Sequence, residues 1–173
     1  MIFFKENSLV IRSMIETDIK HFVHAFSEQD WDKPLELFED YFSHQSSNQL
    51  IVFVAEVNHE VAGYVTLFPR AEKGPFASKG IPEIVDLNVL IKFQEQGIGN
   101  QLMEVAERVA KEKGKLITLA VGMHEGYGAA QRMYVKRGYI PDGSGVWYKG
   151  HKLPAYEACR NDDDFVLYFS KEI

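Results

Sequence analysis

The amino-acid sequence predicts an α/β fold, and two stretches carry that prediction. Residues 84 to 114 read in order as an apolar strand, a turn with two glycines and a long amphipathic helix, and the apolar run Leu116 to Val121 follows directly. A strand-helix-strand unit of this spacing predicts a right-handed parallel crossover. Upstream, the β-branched and aromatic runs Gln49 to Val57 and Val61 to Phe68 flank a short polar turn (residues 58 to 60), which is typical of an antiparallel hairpin.

The chain before the hairpin predicts one strand and two helices. Leu9 to Arg12 alternates weakly and reads as a first strand. Thr17 is expected to be the N-cap of a helix that runs to Phe26. The apolar residues of that helix recur at helical spacing: Ile19, Phe22, Val23 and Phe26. Pro34 is expected to open a second helix, because proline is favoured in the first helical turn.

The central strand is expected to run from Glu83 to Phe93. Its apolar character, interrupted by Asp86 and Asn88, predicts a strand buried on both faces. The helix that follows has one apolar stripe: Ile98, Leu102, Val105, Ala106, Val109 and Ala110. The charged residues are expected outside this stripe: Glu104, Glu107, Arg108, Lys111 and Glu112. Gly114 is expected to end the helix as its C′ residue.

The remaining segments are shorter. Residues 69 to 82 contain Gly, Pro and Lys without apolar periodicity and predict a long loop. A short helix is expected from Ala129 to about Arg137, closed by Gly138. Two strands are expected near the end of the chain, at residues 145 to 148 and 165 to 169.

Length and composition limit the possible functions. A chain of 173 residues fits one domain, and none of its apolar runs reaches the roughly 18 residues of a membrane helix. We therefore expect a soluble protein without a membrane partner, and the early charges argue against a signal peptide and favour a cytoplasmic location. The net charge of −6 argues against nucleic acid as a partner. Cys159 is the only cysteine, and His21 and His24 have no third ligand nearby, so we expect no metal.

The turn at the start of the long helix is a candidate anion site. Gly97 and Gly99 lack a Cβ and leave room above the amides of residues 96 to 100. The first N–H groups of a helix have no partner within it, and the helix dipole favours a negative charge there. A single Gly-x-Gly is weak evidence, so a phosphate site and a plain strand-to-helix connection both stay open.

Two motifs resemble a known family. QEQGIG at residues 94 to 99 fits the Q/R-x-x-G-x-G/A signature of the GCN5-related N-acetyltransferase (GNAT) superfamily. AQRMYVKRGY at residues 130 to 139 resembles the family's A-x-x-L-Y-x-x-x-G-F. The resemblance implies the GNAT fold in a single domain over residues 1 to 173. That fold is a mixed, mostly antiparallel central sheet with a splayed parallel strand pair, flanked by about four helices.

Three positions depart from the family pattern. Ile91 stands where the central motif usually has proline, and Glu95 replaces the first glycine of its longer form. Tyr127 stands where an asparagine often precedes the last helix and contacts the cofactor arm. This puts one cofactor contact in doubt, whereas the turn is unaffected because it binds through its backbone.

The resemblance implies that acetyl-CoA is the co-substrate. Its pyrophosphate would lie on the turn amides, and its pantetheine arm would pair with the central strand as though it were a further strand. The residues implied in cofactor binding are Leu87, Asn88, Val89, Gln94, Glu95, Gln96, Gly97, Ile98, Gly99 and Asn100.

The implied chemistry is direct attack by a deprotonated amine on the thioester, with a backbone N–H stabilising the developing oxyanion. Tyr134 matches the family's tyrosine and would be the acid near the leaving thiolate. Glu83 occupies the position of the base in histone-type members. Asp86, His124 and a water-mediated route remain alternatives for accepting the proton.

Two alternatives to an enzyme remain. One is a catalytically silent acetyl-CoA-binding sensor of the same fold, and the other is a nucleotide-binding Rossmann protein, which lacks support because the three glycines of that fingerprint are not present. The acidic stretches at residues 28 to 40 and 162 to 164 favour a small cationic amine as acceptor. A homodimer is possible because terminal strands of this fold often pair between subunits.

Overall fold

The computed structural model describes all residues from 1 to 173 and contains nine strands and four α-helices. The strands are β1 (Ile2–Glu6), β2 (Leu9–Ser13), β3 (Ile51–Val57), β4 (Glu60–Phe68), β5 (Glu83–Val89), β6 (Leu116–Gly122), β7 (Ile140–Tyr148), β8 (His151–Lys152) and β9 (Phe165–Glu172). The helices are α1 (Glu16–Ser27), α2 (Leu35–Ser46), α3 (Ile98–Lys111) and α4 (Gly128–Lys136). Single 3-10 turns occur at Gly74–Phe76, Ile91–Phe93 and Glu125–Tyr127.

The strands form a mixed, mostly antiparallel sheet, as predicted. Their order is β1-β2-β3-β4-β5-β6-β9-β7-β8. The pairs β1-β2, β2-β3, β3-β4, β6-β9, β7-β8 and β7-β9 are antiparallel. The parallel pair is β5-β6, in which Glu83 aligns with Thr118 and Ile84 with Leu119. The parallel pairing therefore covers only the first two residues of β5.

The chain divides into two compact units. The first contains residues 1 to 68 and 85 to 109, and the second contains residues 69 to 84 and 110 to 173. The prediction of a single domain stays a prediction, because compact units of this kind also occur within one domain. None of the helices combines the length and the apolar character needed to span a bilayer.

The core of the first unit is largely aromatic. The rings of Phe22, Phe26, Phe38 and Tyr64 contact one another with centroids 5.1 to 6.3 Å apart. The other buried members of the cluster are Met14, Ile19, Leu50, Val52, Val54, Val61 and Leu90. Helix α1 therefore packs the apolar face that the sequence identified onto the sheet strands of this unit, and α2 contributes Phe38 to the same cluster.

Two predictions at the N-terminus are wrong. The strand β1 was not expected, although it pairs with β2 along most of its length. Thr17 is not the N-cap of α1, because the helix begins at Glu16 with Ile15 as its N-cap. The cap is supplied instead by the buried carboxylate of Asp18, which accepts a 2.9 Å hydrogen bond from the Ile15 N–H and is held by Arg12.

The hairpin β3-β4 is confirmed. Asn58 and His59 form its turn with φ values of 50° and 69°. Positive φ at both central residues is the geometry of a type I′ turn, whose twist matches that of the flanking strands. Asparagine adopts this conformation more readily than most residues.

The central strand is shorter than predicted. It ends at Val89, and Ile91–Phe93 forms a 3-10 turn with Ile91 exposed. Most side chains of β5 are half-buried, so it is not covered on both faces as expected. Helix α3 carries the predicted stripe, but Glu107 is buried although it was expected outside. The helix ends at Lys111, and Gly114 is therefore not its C′ residue.

In the second unit, the observed strands and helix agree more closely with those predicted from the sequence. Strand β6 and helix α4 lie within one residue of their predicted bounds. Gly138 has φ of +88° and donates its N–H to the carbonyl of Val135, as expected after a helix end. Strands β7 and β9 are longer than predicted, and the two-residue strand β8 was missed. Tyr168 packs against Phe76 and Trp147 in this unit's own cluster.

Candidate functional site

The turn before α3 has the geometry of an anion cradle. Helix α3 begins at Ile98, and its first backbone bond runs from the N–H of Gln101 to the carbonyl of Gly97 at 3.0 Å. The N–H groups of Ile98 and Gly99 precede that bond and point out of the helix start. Gly97 has φ of +82°, and no atom lies within 4 Å of an ideal Cβ at this position. The space above the turn is therefore open to a ligand.

Side chains of the motif hold this turn in place. The amide of Gln94 donates to the carbonyl of Val89 at 3.0 Å, and the amide of Gln96 donates to that of Lys92 at 3.1 Å. Glu95 has φ of 60°, a conformation that glycine, the usual family residue here, adopts without strain. The two glutamines thus hold the turn through hydrogen bonds of their side chains to backbone carbonyls.

The segment Leu87 to Val89 lies beyond the last residue of β5 that pairs with β6. Gly63 on β4 faces it, and a Cβ there would overlap the carbonyl of Asn88. The Asn88 side chain is nearly buried and donates to Asp86 at 2.6 Å. Asn88 is therefore structural through its side chain, and the role of the Leu87 to Val89 backbone in cofactor binding stays a prediction.

Glu83 is a half-buried carboxylate with an unusual proton affinity. Burial, followed by the charge of Glu72, raises its pKa from 4.5 to about 7, and the charge of Lys73 partly opposes the shift. None of the hydrogen bonds within the chain ends on this carboxylate. Glu83 can therefore take up and release a proton near neutral pH.

Asp86, the first competitor for the base, is fully engaged. Its Oδ2 accepts hydrogen bonds from the hydroxyls of Tyr64 at 2.6 Å and Tyr41 at 2.9 Å. Its Oδ1 accepts from Asn88 at 2.6 Å and from the ammonium of Lys33 at 3.0 Å. With two donors on each oxygen, Asp86 is placed as the counter-ion of Lys33.

His124, the second competitor, has both ring nitrogens engaged in the second unit. Its Nδ1 accepts the N–H of Gly126 at 3.1 Å, so the proton lies on Nε2, which donates to Asp163 at 3.0 Å. Tyr127 donates to the same carboxylate at 2.9 Å. His124 must lose the Gly126 bond before it can accept a proton.

Tyr127, one of the three departures from the family pattern, has a structural explanation. The ring of Tyr127 packs so closely on Gly122 that a Cβ there would overlap it. The residue therefore contributes packing and a hydrogen bond to Asp163 where the family often has an asparagine. A surface pocket of about 500 Å³ lies beside it, lined by His124, Glu125, Asn161, Asp162 and Asp163.

Tyr134, the predicted acid, is 6% exposed on α4. Its ring meets that of Tyr139 edge-on with centroids 5.9 Å apart. Its carbonyl accepts the N–H groups of Arg137 and Tyr139 at the helix end. The motif that carries Tyr134 therefore also forms the end of α4.

Sequence reasoning missed the partners of Asp86. Lys33, Tyr41 and Tyr64 lie on three separate segments and carry no motif. The acidic residues that drew attention instead, at positions 28, 30, 32, 36, 39 and 40, are all exposed. The available signal was the pair Asp86 and Asn88, two polar residues on one face of an apolar strand. The structure contains no group of three or more side chains arranged to hold a metal ion.

Comparison with known families gives one match that covers most of the chain. The model of the acetyltransferase (GNAT) family matches residues 13 to 139. The matched range includes both motifs and the strands and helices between them.

Solved structures agree on the fold. An N-acetyltransferase from Staphylococcus aureus Mu50 is 15% identical, with a TM-score of 0.71 over 96% of this chain and 99% of that one. An acetyltransferase from Salmonella typhimurium that modifies the N-terminal serine of ribosomal protein L7/L12 is 12% identical, with a TM-score of 0.71 over 100% and 99%. A GNAT family acetyltransferase from Elizabethkingia anophelis with acetyl-CoA bound is 20% identical, with a TM-score of 0.61 over 97% and 100%. These identities establish the shared fold alone.

Proposed function

This chain belongs to the acetyltransferase (GNAT) family, and we propose that it is an N-acetyltransferase that transfers an acetyl group from acetyl-CoA to a primary amine of a small cationic acceptor. The observation that carries the proposal is the turn before α3. Its backbone donors, the left-handed Gly97 and the open space above it form a site for a phosphate group.

The residues present fit acetyl-CoA. The turn amides of residues 96 to 100 would hold the pyrophosphate, since they need no particular side chain and the substitution at Glu95 leaves them in place. The backbone of Leu87 to Val89 would hold the pantetheine arm. Acetyl-CoA would supply the activated acetyl group as a thioester, so the protein needs to contribute only orientation and proton transfer.

Two side chains of this chain fit the proton transfers. Glu83, with a pKa of about 7, would accept the proton that the attacking amine loses. The Tyr134 hydroxyl would donate a proton to the departing sulfur. In balance, a C–N bond forms and a C–S bond breaks, and the products are the N-acetylated amine and free CoA.

The preference for a small cationic acceptor rests on charge. The chain carries a net charge of −6, and its exposed acidic residues flank both the α1-α2 connection and the segment before β9. The Salmonella relative acts on a protein N-terminus, and a peptide amine is therefore the competing acceptor. Competition assays with a small polyamine and a short peptide separate the two.

Ligand-dependent thermal shifts test the donor first. Stabilisation by acetyl-CoA but not by a dinucleotide supports the proposal, and no response to CoA thioesters would refute it. Release of free thiol with a panel of amines then tests turnover. Binding without thiol release identifies the silent sensor instead.

The role of Tyr134 is tested by Tyr134→Phe. We expect kcat to fall by about 10- to 100-fold with the KM for acetyl-CoA nearly unchanged, because the hydroxyl acts on the leaving group rather than on binding. Tyr156→Phe is the matched control, since Tyr156 is fully exposed. Unchanged turnover in Tyr134→Phe would show that another group protonates the sulfur.

A further inference from the structure

Lys33 occupies an unusual position in the first unit. Its ammonium lies 5.2 Å from the ring centroid of Phe26, 5.4 Å from that of Trp31 and 5.3 Å from that of Tyr64. Contacts within about 6 Å of a ring face attract a cation, and several rings around one cation form an aromatic cage. The Asp86 carboxylate lies 3.0 Å from the same nitrogen. We name these four groups the ammonium cage.

The cage holds its shape without help from Lys33. Tyr64 and Tyr41 donate their hydroxyl protons to Asp86, and Asn88 donates its amide to the same carboxylate. Burial, with the charge of Asp86 next to it, raises the pKa of Tyr41 and of Tyr64 far above the usual tyrosine value, so both stay neutral donors. The carboxylate is therefore oriented by groups on α2, β4 and β5 before any cation arrives.

The geometry suits a primary alkylammonium. The Lys33 ammonium donates to the Tyr64 hydroxyl at 2.7 Å and to Asp86 at 3.0 Å, and three ring centroids lie 5.2 to 5.4 Å from the same nitrogen. A neutral alcohol would leave the Asp86 charge uncompensated in a largely buried position. Charge and shape together therefore favour an unbranched alkyl chain that ends in an ammonium group.

Lys33 can leave the cage by rotation of its own side chain. It belongs to the connection between α1 and α2, whereas Phe26, Tyr64 and Asp86 lie on α1, β4 and β5. The Lys33 side chain is 11% exposed and that of Asp86 is 22% exposed, while Trp31 at the edge is half exposed. The cage thus opens to solvent, and a ligand can enter as the flexible lysine stem swings out.

We propose that the ammonium cage binds a primary alkylammonium group of the acceptor, and that Lys33 fills it in the unliganded protein. The inference rests on the proposed function and narrows the acceptor to an amine with a second, non-reacting ammonium group. Asp86 then serves as the counter-ion of that group, which agrees with its four hydrogen-bond donors and with the assignment of the base to Glu83.

The Lys33→Ala variant tests the cage directly, with n-butylammonium as the probe and no acetyl-CoA present. The variant is expected to fold, because three neutral donors still hold Asp86. It should bind n-butylammonium at least about tenfold more tightly than the wild type, while n-butanol should not bind either protein. Lys92→Ala is the matched control: Lys92 lies 5.2 Å from the Phe93 ring and pairs with Glu60, but it is half exposed.

Equal n-butylammonium affinity in Lys33→Ala and the wild type would overturn the proposal, as would equal binding of n-butanol. A measurement on the wild type covers the case in which the variant does not fold. In side-chain NMR of labelled lysines, the ring-current-shifted signals of Lys33 should move towards those of exposed lysines when diaminopentane is added, with Lys92 unchanged. Unmoved Lys33 signals at saturating diamine would refute displacement.

Acetyl-CoA binding and thiol release, measured in parallel, separate this inference from the proposed function. If acetyl-CoA binds and amines turn over but the cage takes no n-butylammonium, only the cage is refuted. If acetyl-CoA neither binds nor reacts, the acceptor assignment fails with the proposed function. In an active enzyme, Lys33→Ala should lower the KM for diaminopentane and leave that for butylamine unchanged, and equal effects on both would refute the acceptor role.

Discussion

Two carboxylates on one strand, Glu83 and Asp86, have opposite environments. Asp86 accepts hydrogen bonds from two tyrosine hydroxyls, an amide and an ammonium. Glu83 accepts none from the chain, and burial beside Glu72 raises its pKa to about 7. The Asp86 carboxylate is placed to bind a cation, and the Glu83 carboxylate can exchange a proton near neutral pH. The surroundings of a carboxylate therefore decide its chemistry.

The backbone contributes to the difference. Asp86 has φ of 53°, which interrupts the regular alternation of β5 three residues after Glu83. A non-glycine residue in this conformation is held there by its surroundings, and here four donors fix the side chain. Asp86 is therefore bound into the first unit, whereas Glu83 interacts with charges of the loop that precedes β5.

The largest expected effect comes from Asp86→Asn. The substitution keeps the shape and tolerates the positive φ, but it removes the charge that pairs with Lys33 and turns one oxygen that accepts two hydrogen bonds into an NH2 group that faces their donors. We expect the free energy of unfolding to fall by about 3 kcal/mol, measured by urea denaturation. Glu60→Gln, which removes the counter-ion of the exposed Lys92, should change it by less than about 0.5 kcal/mol. Equal effects would show that Lys33 and Lys92 experience the same environment.

Alanine substitutions at two glycines test how tightly the loop before β5 packs on Tyr168. A Cβ at Gly74 would overlap the Tyr168 ring, whereas no atom lies within 4 Å of a Cβ at Gly80, and φ is +72° and +70° respectively. Both alanine variants share the backbone strain, so the difference between them isolates the overlap. We expect Gly74→Ala to destabilise by about 2 kcal/mol more than Gly80→Ala in urea denaturation. Equal destabilisation would mean that the loop moves freely off Tyr168.

The role of Glu83 is tested by the pH dependence of turnover. A base must be ionised, so kcat/KM of the wild type should fall as the pH drops below about 7. Glu83→Gln should lower kcat/KM by about 10- to 100-fold above that pH and remove this acidic limb. A variant that keeps the limb would assign the proton acceptor to another group or to water.

The pH dependence of folding stability tests the raised pKa of Glu83 independently of turnover. The pKa of Glu83 in the folded protein, about 7, lies above its ordinary value of 4.5, so folding favours the protonated form. Its contribution to stability is present below about pH 4.5 and is lost as the pH rises through about 7. The wild type should therefore lose at most about 3 kcal/mol relative to Glu83→Gln over this range. Parallel pH profiles of the two proteins would contradict the raised pKa.

The smallest expected effect comes from Glu72→Gln. It removes the negative charge that contributes, after burial, to the raised pKa of Glu83. The acidic limb of the kcat/KM profile should move to lower pH by a fraction of a pKa unit, with the plateau unchanged. Glu104→Gln, on the exposed face of α3, is the control. A shift towards higher pH would show that Glu72 does not act on Glu83 through its charge.

The sequence predicted the fold class and most elements because their signals are local. Hydrophobic periodicity located α1, α3 and the hairpin, and Gly138 marked the end of α4. Predictions failed where distant contacts decide: β1 is a strand because it pairs with β2, and α1 starts at Glu16 because Asp18 is held by Arg12. The central strand was overextended because its apolar run continues into the 3-10 turn at Ile91–Phe93.

By itself the sequence determined the turn at residues 94 to 100, because a helix start and a glycine that adopts positive φ are properties of neighbouring residues. It also named Glu83, Asp86 and His124 as candidate bases without ranking them by environment. Only the tertiary structure gave the three residues their different environments, since burial and charge come from residues far along the chain. Lys33 is 53 positions from Asp86, and their pairing exists only because α1, α2, β4 and β5 pack around one carboxylate.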